Sequence, residues 1–124
     1  MLTKEIGQRM LRNLLEVILG ISDKEYQKRV WIRGEGPEID DFTETVCRFF
    51  DNSDPILQEH ELLNLTKEQY KILLELKNKF EIFIDVDRLG YLPEQFIDTP
   101  AWNEIVEMAK EVLREFHYNP ETSE

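Results

Sequence analysis

The feature that most constrains the fold is the spacing of apolar residues, which recur every three or four positions in several separate segments. This period is typical of amphipathic helices, whereas a half-buried strand would alternate polar and apolar residues. Residues 3–19 show it first, and Thr3 is predicted to cap this helix and Gly20 to end it. The apolar face of this helix comprises Ile6, Met10, Leu14, Val17 and Ile18.

Two later helices carry clear start signals. Thr66 and Gln69 match a capping box, so a helix is predicted over about residues 67–84. Thr99 followed by Pro100 predicts the start of the last helix, because proline is favoured at the first helical position. Their apolar faces are Leu73, Leu76, Phe80, Phe83 and Ile84 in the first, and Trp102, Ile105, Val106, Ala109, Val112, Leu113 and Phe116 in the second.

Residues 22–33 are ambiguous. Ser22 and Glu25 match a capping box, which favours a short helix starting near Asp23. The composition of "VWI" (30–32) leaves a strand as the alternative, since β-branched and aromatic residues are enriched in strands.

Another helix is predicted to follow the sequence "RGEGPEI" (33–39). Asp40 or Asp41 is its cap, and acidic residues in the first turn suit the positive end of the helix dipole. The sequence "DNSDP" (51–55) is predicted to break this helix, and Pro55 to start a further one in "PILQEHELL". The aromatic face before the break comprises Phe42, Val46, Phe49 and Phe50.

These segments predict the fold class. The chain of 124 residues contains no internal repeat and no interdomain linker, and it is long enough to bury one core without disulfides. It also lacks the alternating strand and helix patterns of a parallel sheet. We therefore predict an all-α, compact single-domain bundle of four to six helices with short loops, over residues 1–118, with a frayed polar tail over residues 119–124.

Composition excludes several classes of protein. The net charge of −11 argues against binding to nucleic acid or to an anionic membrane surface. The longest strongly apolar run, "LLEVILGI" (14–21), is far shorter than the roughly 20 residues that span a bilayer. The single cysteine, Cys47, cannot form an internal disulfide, and charged residues interrupt the apolar residues after Met1. These features predict a cytoplasmic protein.

The charge is unevenly distributed along the chain. Residues 1–33 carry seven Lys or Arg and four Asp or Glu. Residues 34–61 carry one Lys or Arg and nine Asp or Glu. We call residues 34–61 the acidic segment. Residues 62–124 carry seven Lys or Arg and thirteen Asp or Glu, so the middle of the chain is the most acidic part.

No motif for phosphate or calcium is complete. The glycines of "RGEGPE" (33–38) lack the spacing of a phosphate-binding loop, and the carboxylates around them would repel a phosphate. Residues 85–96 begin like an EF-hand loop but place Phe96 where a bidentate glutamate is needed. Both sites are therefore rejected.

Catalytic and metal sites are not predicted either. Cys47, His60 and His117 lack the close spacing of zinc ligands, and Cys47 is predicted to be a small buried side chain. The carboxylates of residues 38–44 form a dense exposed cluster, whereas acid/base catalysis requires an apolar pocket that separates two pKa values. A solvated acidic turn is favoured over a weak cation site in residues 51–61. We expect no enzyme activity, no cofactor and no metal.

The acidic segment is the remaining positive feature, and it is either a solvated surface without a function, which is common, or a binding face. A binding face of this charge suits a basic protein partner because opposite potentials accelerate association. Trp31 is either a lid over the core or, like Tyr26, an aromatic anchor for that partner. An enzyme that binds nucleic acid presents a positive cleft, so a nuclease is one such partner. The predicted contact residues are Trp31, Glu35, Glu38, Asp40, Asp41, Glu44, Asp51, Asp54, Glu59 and Glu61.

Two stretches, "VWIRGEGPEIDDFTETVCRFFD" (30–51) and "FIDTPAWNEIVEMAKEVL" (96–113), are similar to small bacterial immunity proteins of contact-dependent and related polymorphic toxin systems. The resemblance covers about residues 26–116. It implies tight, stoichiometric neutralisation of a cognate toxin in the cytoplasm of the producing cell. It implies no catalytic residues.

Two other functions stay open. A structural or adaptor protein would self-associate through an apolar helix face and would expose a hydrophobic patch. A small enzyme would bring carboxylates together in a concave pocket.

Overall fold

Side-chain caps start five of the helices in the computed structural model, which describes residues 2–87 and 92–118. In each cap a side-chain oxygen accepts a hydrogen bond from a backbone N–H in the first helical turn. Asp41, rather than Asp40, caps the helix that begins at Phe42, and Thr66 and Gln69 form the predicted capping box. The capping side chains are Thr3, Asp23, Asp41, Thr66 and Thr99.

Six helices and no strand form in these residues, which confirms the all-α class. They are α1 (Lys4–Ile21), α2 (Lys24–Tyr26, continuing as a π-helical turn over Gln27–Ile32), α3 (Phe42–Gln58), α4 (Lys67–Ile82, continuing as a π-helical turn over Phe83–Asp87), α5 (Pro93–Phe96) and α6 (Pro100–Glu115). The predicted tail, residues 119–124, lies outside the described residues. No helix within them combines the length and apolar character that a bilayer span requires.

The four long helices form a single-domain bundle in which α1 packs against α3 and α6, and α4 packs against the same two helices. Neighbouring helices run antiparallel. Lys79 near the end of α4 pairs with Glu104 near the start of α6, while Gln69 at the start of α4 donates to the carbonyl of Glu115. The π-helical turn that continues α2 contacts the short helix α5, and together they close the end of the bundle where α3 and α6 begin. The candidate site lies at this end.

An aromatic cluster fills the core beneath α2 and α5. Phe42 and Trp102 lie at its centre, with ring centroids 5.7 Å apart in an edge-to-face arrangement. Phe96 and Phe83 pack edge-to-face against each other, with centroids 5.2 Å apart. All four side chains are buried, so this cluster joins α3, α4, α5 and α6.

The predicted break at Pro55 is wrong, because α3 runs from Phe42 through Pro55 to Gln58. An interior proline costs about 3 kcal/mol through its missing N–H donor. Phe49 and Ile56, one on each side of the break, are both fully buried, and each such side chain contributes about 1.5–3 kcal/mol. Burial of one continuous face therefore outweighs the local penalty.

The short helix predicted to start near Asp23 is confirmed, because α2 begins at Lys24, and the strand alternative for this segment is excluded. Two other expectations are corrected. Helix α1 continues past Gly20 to Ile21. Cys47 is exposed instead of buried. Thr45 and Phe49 face the core, and Cys47 lies two residues from each, about 200° around the helix from them.

Candidate functional site

The acidic loop, which we define as residues 34–41, folds back onto α2 through Arg29. The Arg29 guanidinium donates to both oxygens of Glu38, at 2.7 and 2.9 Å, and to the carbonyl of Glu35 at 3.2 Å. The backbone N–H of Glu35 in turn donates to the carbonyl of Arg29 at 2.8 Å. Gly34 and Gly36 have φ of +65° and +99°, which lets the chain reverse between these contacts. We call the paired Arg29 and Glu38 side chains the clasp.

Asp40 holds the other end of the acidic loop. Its carboxylate accepts hydrogen bonds from the Tyr26 hydroxyl at 2.7 Å, the Trp31 indole N–H at 3.2 Å and the Thr45 hydroxyl at 3.3 Å. The next residue, Asp41, accepts from the backbone N–H of Glu44 at 2.7 Å as the cap of α3. Asp40 therefore connects α2, the acidic loop and α3.

These contacts shift two pKa values in the direction that favours the observed hydrogen bonds. The hydrogen bonds from Arg29 lower the pKa of Glu38 to about 2, assisted by a backbone hydrogen bond. Burial raises the pKa of Tyr26 well above its ordinary range, and the hydrogen bond to Asp40 raises it further. The Tyr26 hydroxyl thus keeps its proton and remains a donor to Asp40 across the ordinary pH range.

The structure places the predicted carboxylates on the surface, but several are already bonded within the chain. Eight of the nine are exposed, and Asp40 is half-buried. Glu38 pairs with Arg29, Glu35 pairs with Arg33 at 2.9 Å, and Asp54 lies 3.6 Å from Lys77. Within the part of the chain that the structure describes, no ion pair engages Glu44, Asp51, Glu59 or Glu61.

Trp31 is predicted to be either a lid over the core or an anchor for a partner, and in the structure it covers the core. Its side chain is only 9% exposed and lies between Phe42 and Trp102, with ring centroids 5.5 and 6.0 Å away. Tyr26, the other aromatic candidate, is half-buried against its edge. Trp31 therefore supports the acidic loop from beneath and offers little surface to a partner.

Ile39 is the apolar residue that sequence reasoning missed. Its side chain is 98% exposed in the acidic loop, between the clasp at Glu38 and the hydrogen-bonded Asp40. The sequence could have indicated Ile39, because it is an apolar residue that lies outside every predicted helical repeat. A fully exposed isoleucine held between two fixed neighbours is suited to contact another molecule, because interfaces bury apolar side chains at their centre.

The predicted contact residues lie toward both ends of α3. The acidic loop precedes its first turn, whereas Glu59 and Glu61 follow its last turn. Glu44 and Glu59 are fifteen residues apart, about 22 Å along a helix. Glu44 and Asp51 are seven residues apart and so lie on the same outward face. A partner that contacts both the acidic loop and the pair Glu59 and Glu61 must therefore cover the length of α3.

Two concave regions border the acidic segment. A cavity of about 240 Å³ lies between the C-terminal end of α1, the start of α2 and α3, and we call it the α1–α3 cavity. A more open groove of about 370 Å³ between α3 and α4 has Val46, Phe50 and Ile84 among its lining residues, beside charged residues that include Lys77 and Asp54.

Across residues 2–87 and 92–118, no three His, Cys, Asp or Glu side chains are grouped so that they could hold a metal ion. The residues of the rejected EF-hand reading lie partly outside this description, at positions 88–91. Comparisons with family models, with curated proteins and with solved structures find no match for the chain.

Proposed function

We propose that the chain is an acidic cytoplasmic binding protein, and specifically an immunity protein that neutralises a cognate basic toxin by stoichiometric binding. The observation that supports this proposal is the exposed acidic segment, in which Glu44, Asp51, Glu59 and Glu61 form no ion pair with another described residue. Such charges attract a basic partner without first breaking an internal contact. A toxin nuclease has this character, since it must bind phosphates.

Electrostatic steering explains why an inhibitor would keep so many free carboxylates. Opposite potentials raise association rates toward about 10⁸ M⁻¹s⁻¹, and a toxin must be captured before it acts. The clasp and the Asp40 hydrogen bonds hold the acidic loop in one conformation. A surface that is already ordered loses less conformational entropy on binding.

The contacts divide the proposed partner-binding residues by role. Glu44, Asp51, Glu59 and Glu61 meet the partner's Lys and Arg side chains directly. Glu35, Glu38 and Asp54 keep their internal cations and offer the partner only the hydrogen-bonding capacity that those cations leave free. Asp40, Asp41 and Trp31 shape the acidic loop, and Ile39 supplies the apolar contact that Trp31, as a buried residue, does not.

Co-expression with the product of each adjacent gene tests the proposal. One of these products is expected to arrest growth when expressed alone and to be harmless when this chain is present. With that product purified, the Glu44→Lys/Asp51→Lys variant should associate at least tenfold more slowly at low salt, and the difference should shrink at high salt.

The matched control is Glu68→Lys/Glu75→Lys. It changes the net charge by the same amount at exposed residues of α4 that form no ion pair with another described residue. Equal slowing by the two variants would mean that net charge alone matters, and it would remove the assignment of the interface to α3.

One observation favours the adaptor alternative. Ile82 and Val86, four residues apart where α4 ends, are 54% and 70% exposed. Self-association through this apolar pair predicts a dimer in sedimentation velocity experiments, and Val86→Asp should convert it to a monomer. A wild-type chain that sediments as a monomer at high concentration would exclude this alternative.

A further inference from the structure

The α1–α3 cavity lies beside the acidic loop, and hydrogen-bond acceptors dominate its polar walls. Its lining includes the carboxylates of Glu16, Asp23 and Asp40, against the single cation Arg48. At about 240 Å³ it is smaller than a typical pocket for a drug-sized ligand, which spans about 300–1,000 Å³. This size suits the end of one long side chain.

The hydroxyl groups in the cavity add to its acceptor character. Tyr26 and Thr45 both line it, and both donate their hydroxyl protons to Asp40. Their oxygens therefore retain lone pairs that accept a hydrogen bond from a ligand. A ligand with several N–H donors fits this arrangement better than one with acceptors.

The position of α1 makes the potential more negative. Leu19 and Gly20, in the last turn of α1, form part of the wall, and the last turn contains no basic residue. The C-terminal end of a helix carries about half a negative charge, which here offsets the opposite partial charge at the start of α3 and leaves the carboxylates to set the sign of the potential. Glu16 forms no ion pair with another residue of the described ranges, so its charge is not neutralised by a neighbour within the chain.

We propose that this cavity receives the ammonium or guanidinium end of a lysine or arginine side chain of the protein partner. The preference for a cation follows from the walls of the cavity, and the source of that cation rests on the proposed function. The three carboxylates oppose an anion. The cavity opens beside the face of α3 that the partner is proposed to cover, so one contact surface includes both.

Substitutions of Arg48 and Glu16 should change the affinity for a cation in opposite directions. The exposed guanidinium of Arg48 lines the cavity, pairs with no described carboxylate and competes with an entering cation. Removing this like charge should strengthen cation binding, whereas removing the charge of Glu16 should weaken it. Both side chains are exposed, so neither substitution removes a core contact.

The probes are N-acetyl-arginine methylamide and n-butylammonium, titrated into the purified full chain and followed through the amide NMR signals of Gly20, Tyr26 and Thr45. We expect saturable shifts with a dissociation constant on the order of 1–10 mM. Glu16→Gln should weaken binding about fivefold and Arg48→Gln should strengthen it about fivefold. Glu68→Gln, a remote exposed control, should leave it unchanged.

Two results would overturn the inference: the absence of saturable shifts with both cations, or Glu16→Gln and Arg48→Gln changing affinity in the same direction. The proposed function fails separately. If both cations bind but no adjacent gene product is neutralised, the cavity still prefers cations while the partner assignment is lost. If a product is neutralised but neither cation binds, only the inference about the cavity fails.

Discussion

Gln27 joins two helices that are distant in the sequence. Its side chain is fully buried, and its amide donates to the carbonyls of Gly20 and Ile21 at 2.9 and 2.8 Å. Its carbonyl accepts from the Trp102 indole N–H at 2.9 Å. One side chain therefore satisfies the end of α1 and the buried indole of α6, and no local pattern in the sequence indicates this role.

Replacing Gln27 with methionine should destabilise the chain by about 3 kcal/mol. Methionine keeps the apolar volume, but it leaves the Trp102 N–H and two carbonyls with fewer partners in the core. Urea unfolding followed by circular dichroism measures the change in free energy. Gln8→Met, at an exposed position of α1, is the control, and a loss below about 0.5 kcal/mol at Gln27 would contradict this account.

Glu38 provides a prediction about pH. Its pKa in the folded chain is lowered from 4.5 to about 2, chiefly by Arg29. A lowered carboxyl pKa means that the clasp contributes stability above about pH 4.5 and loses that contribution as pH falls toward 2. NMR titration of the Glu38 carboxyl carbon should therefore show a midpoint near 2.

Arg29→Gln should return the Glu38 midpoint toward 4.5, because its main stabilising partner is removed. Arg33→Gln, which removes the guanidinium that pairs with Glu35, is the matched control and should leave the midpoint low. A midpoint that does not respond to Arg29→Gln would show that the clasp does not form in solution.

At the scale of elements, the shape of the acidic loop depends on its second glycine. A side chain at Gly36 would overlap the Arg29 guanidinium and come within 2.7 Å of Glu38, whereas nothing lies within 4 Å of a side chain at Gly34. Both residues have positive φ, so alanine is strained at each, by about 1–2 kcal/mol. A comparison of alanine substitutions at the two positions therefore distinguishes the effect of backbone strain from the effect of losing the clasp.

Gly36→Ala should raise the pKa of Glu38 toward 4.5, and Gly34→Ala should leave it near 2. Both variants should lose a similar amount of stability from backbone strain, with a further loss in Gly36→Ala. The same carboxyl titration, combined with urea unfolding, measures both effects. Identical pKa values in the two variants would show that the clasp tolerates a side chain at position 36.

Helix α3 shows how an element depends on its surroundings. Asn, Ser, Asp and Pro in succession are typical of a turn, yet residues 51–55 are helical. Ser53 lies in this stretch with no exposed surface, and its hydroxyl has no hydrogen-bond partner among the described residues. Packing against the rest of the bundle therefore holds both a proline and an unsatisfied hydroxyl inside one helix.

At the scale of the whole molecule, we expect charge repulsion to outweigh the ion pairs. The net charge is −11, and the ion pairs among the described residues are mostly exposed pairs, which contribute little. Raising NaCl from 20 to 500 mM should therefore increase the melting temperature by a few degrees, because salt screens the repulsion more than it weakens these pairs.

Differential scanning calorimetry measures this salt effect. The Glu44→Lys/Asp51→Lys variant carries less negative charge and should show a smaller increase. A melting temperature that falls with salt in the wild-type chain would mean that its ion pairs stabilise it more than its net charge destabilises it.

The sequence by itself determined the all-α class, the starts of α1, α2, α3, α4 and α6, and most of the buried faces. Caps and apolar periods act over three or four residues, so the information for Thr66, Thr99 and the face of α6 is local. The acidic segment was also visible, because a charged residue is most often exposed wherever it lies.

Only the tertiary structure decided how the candidate site is built. Asp40, predicted as a contact residue, binds Tyr26, Trp31 and Thr45 within the chain, while Trp31 is buried and Ile39 is exposed. These outcomes depend on contacts between different elements, and caps and apolar periods, which act over three or four residues, do not indicate them. Gln27 and Trp102, which are 75 positions apart, are the clearest case, since neither position alone indicates that the other will satisfy its buried polar group.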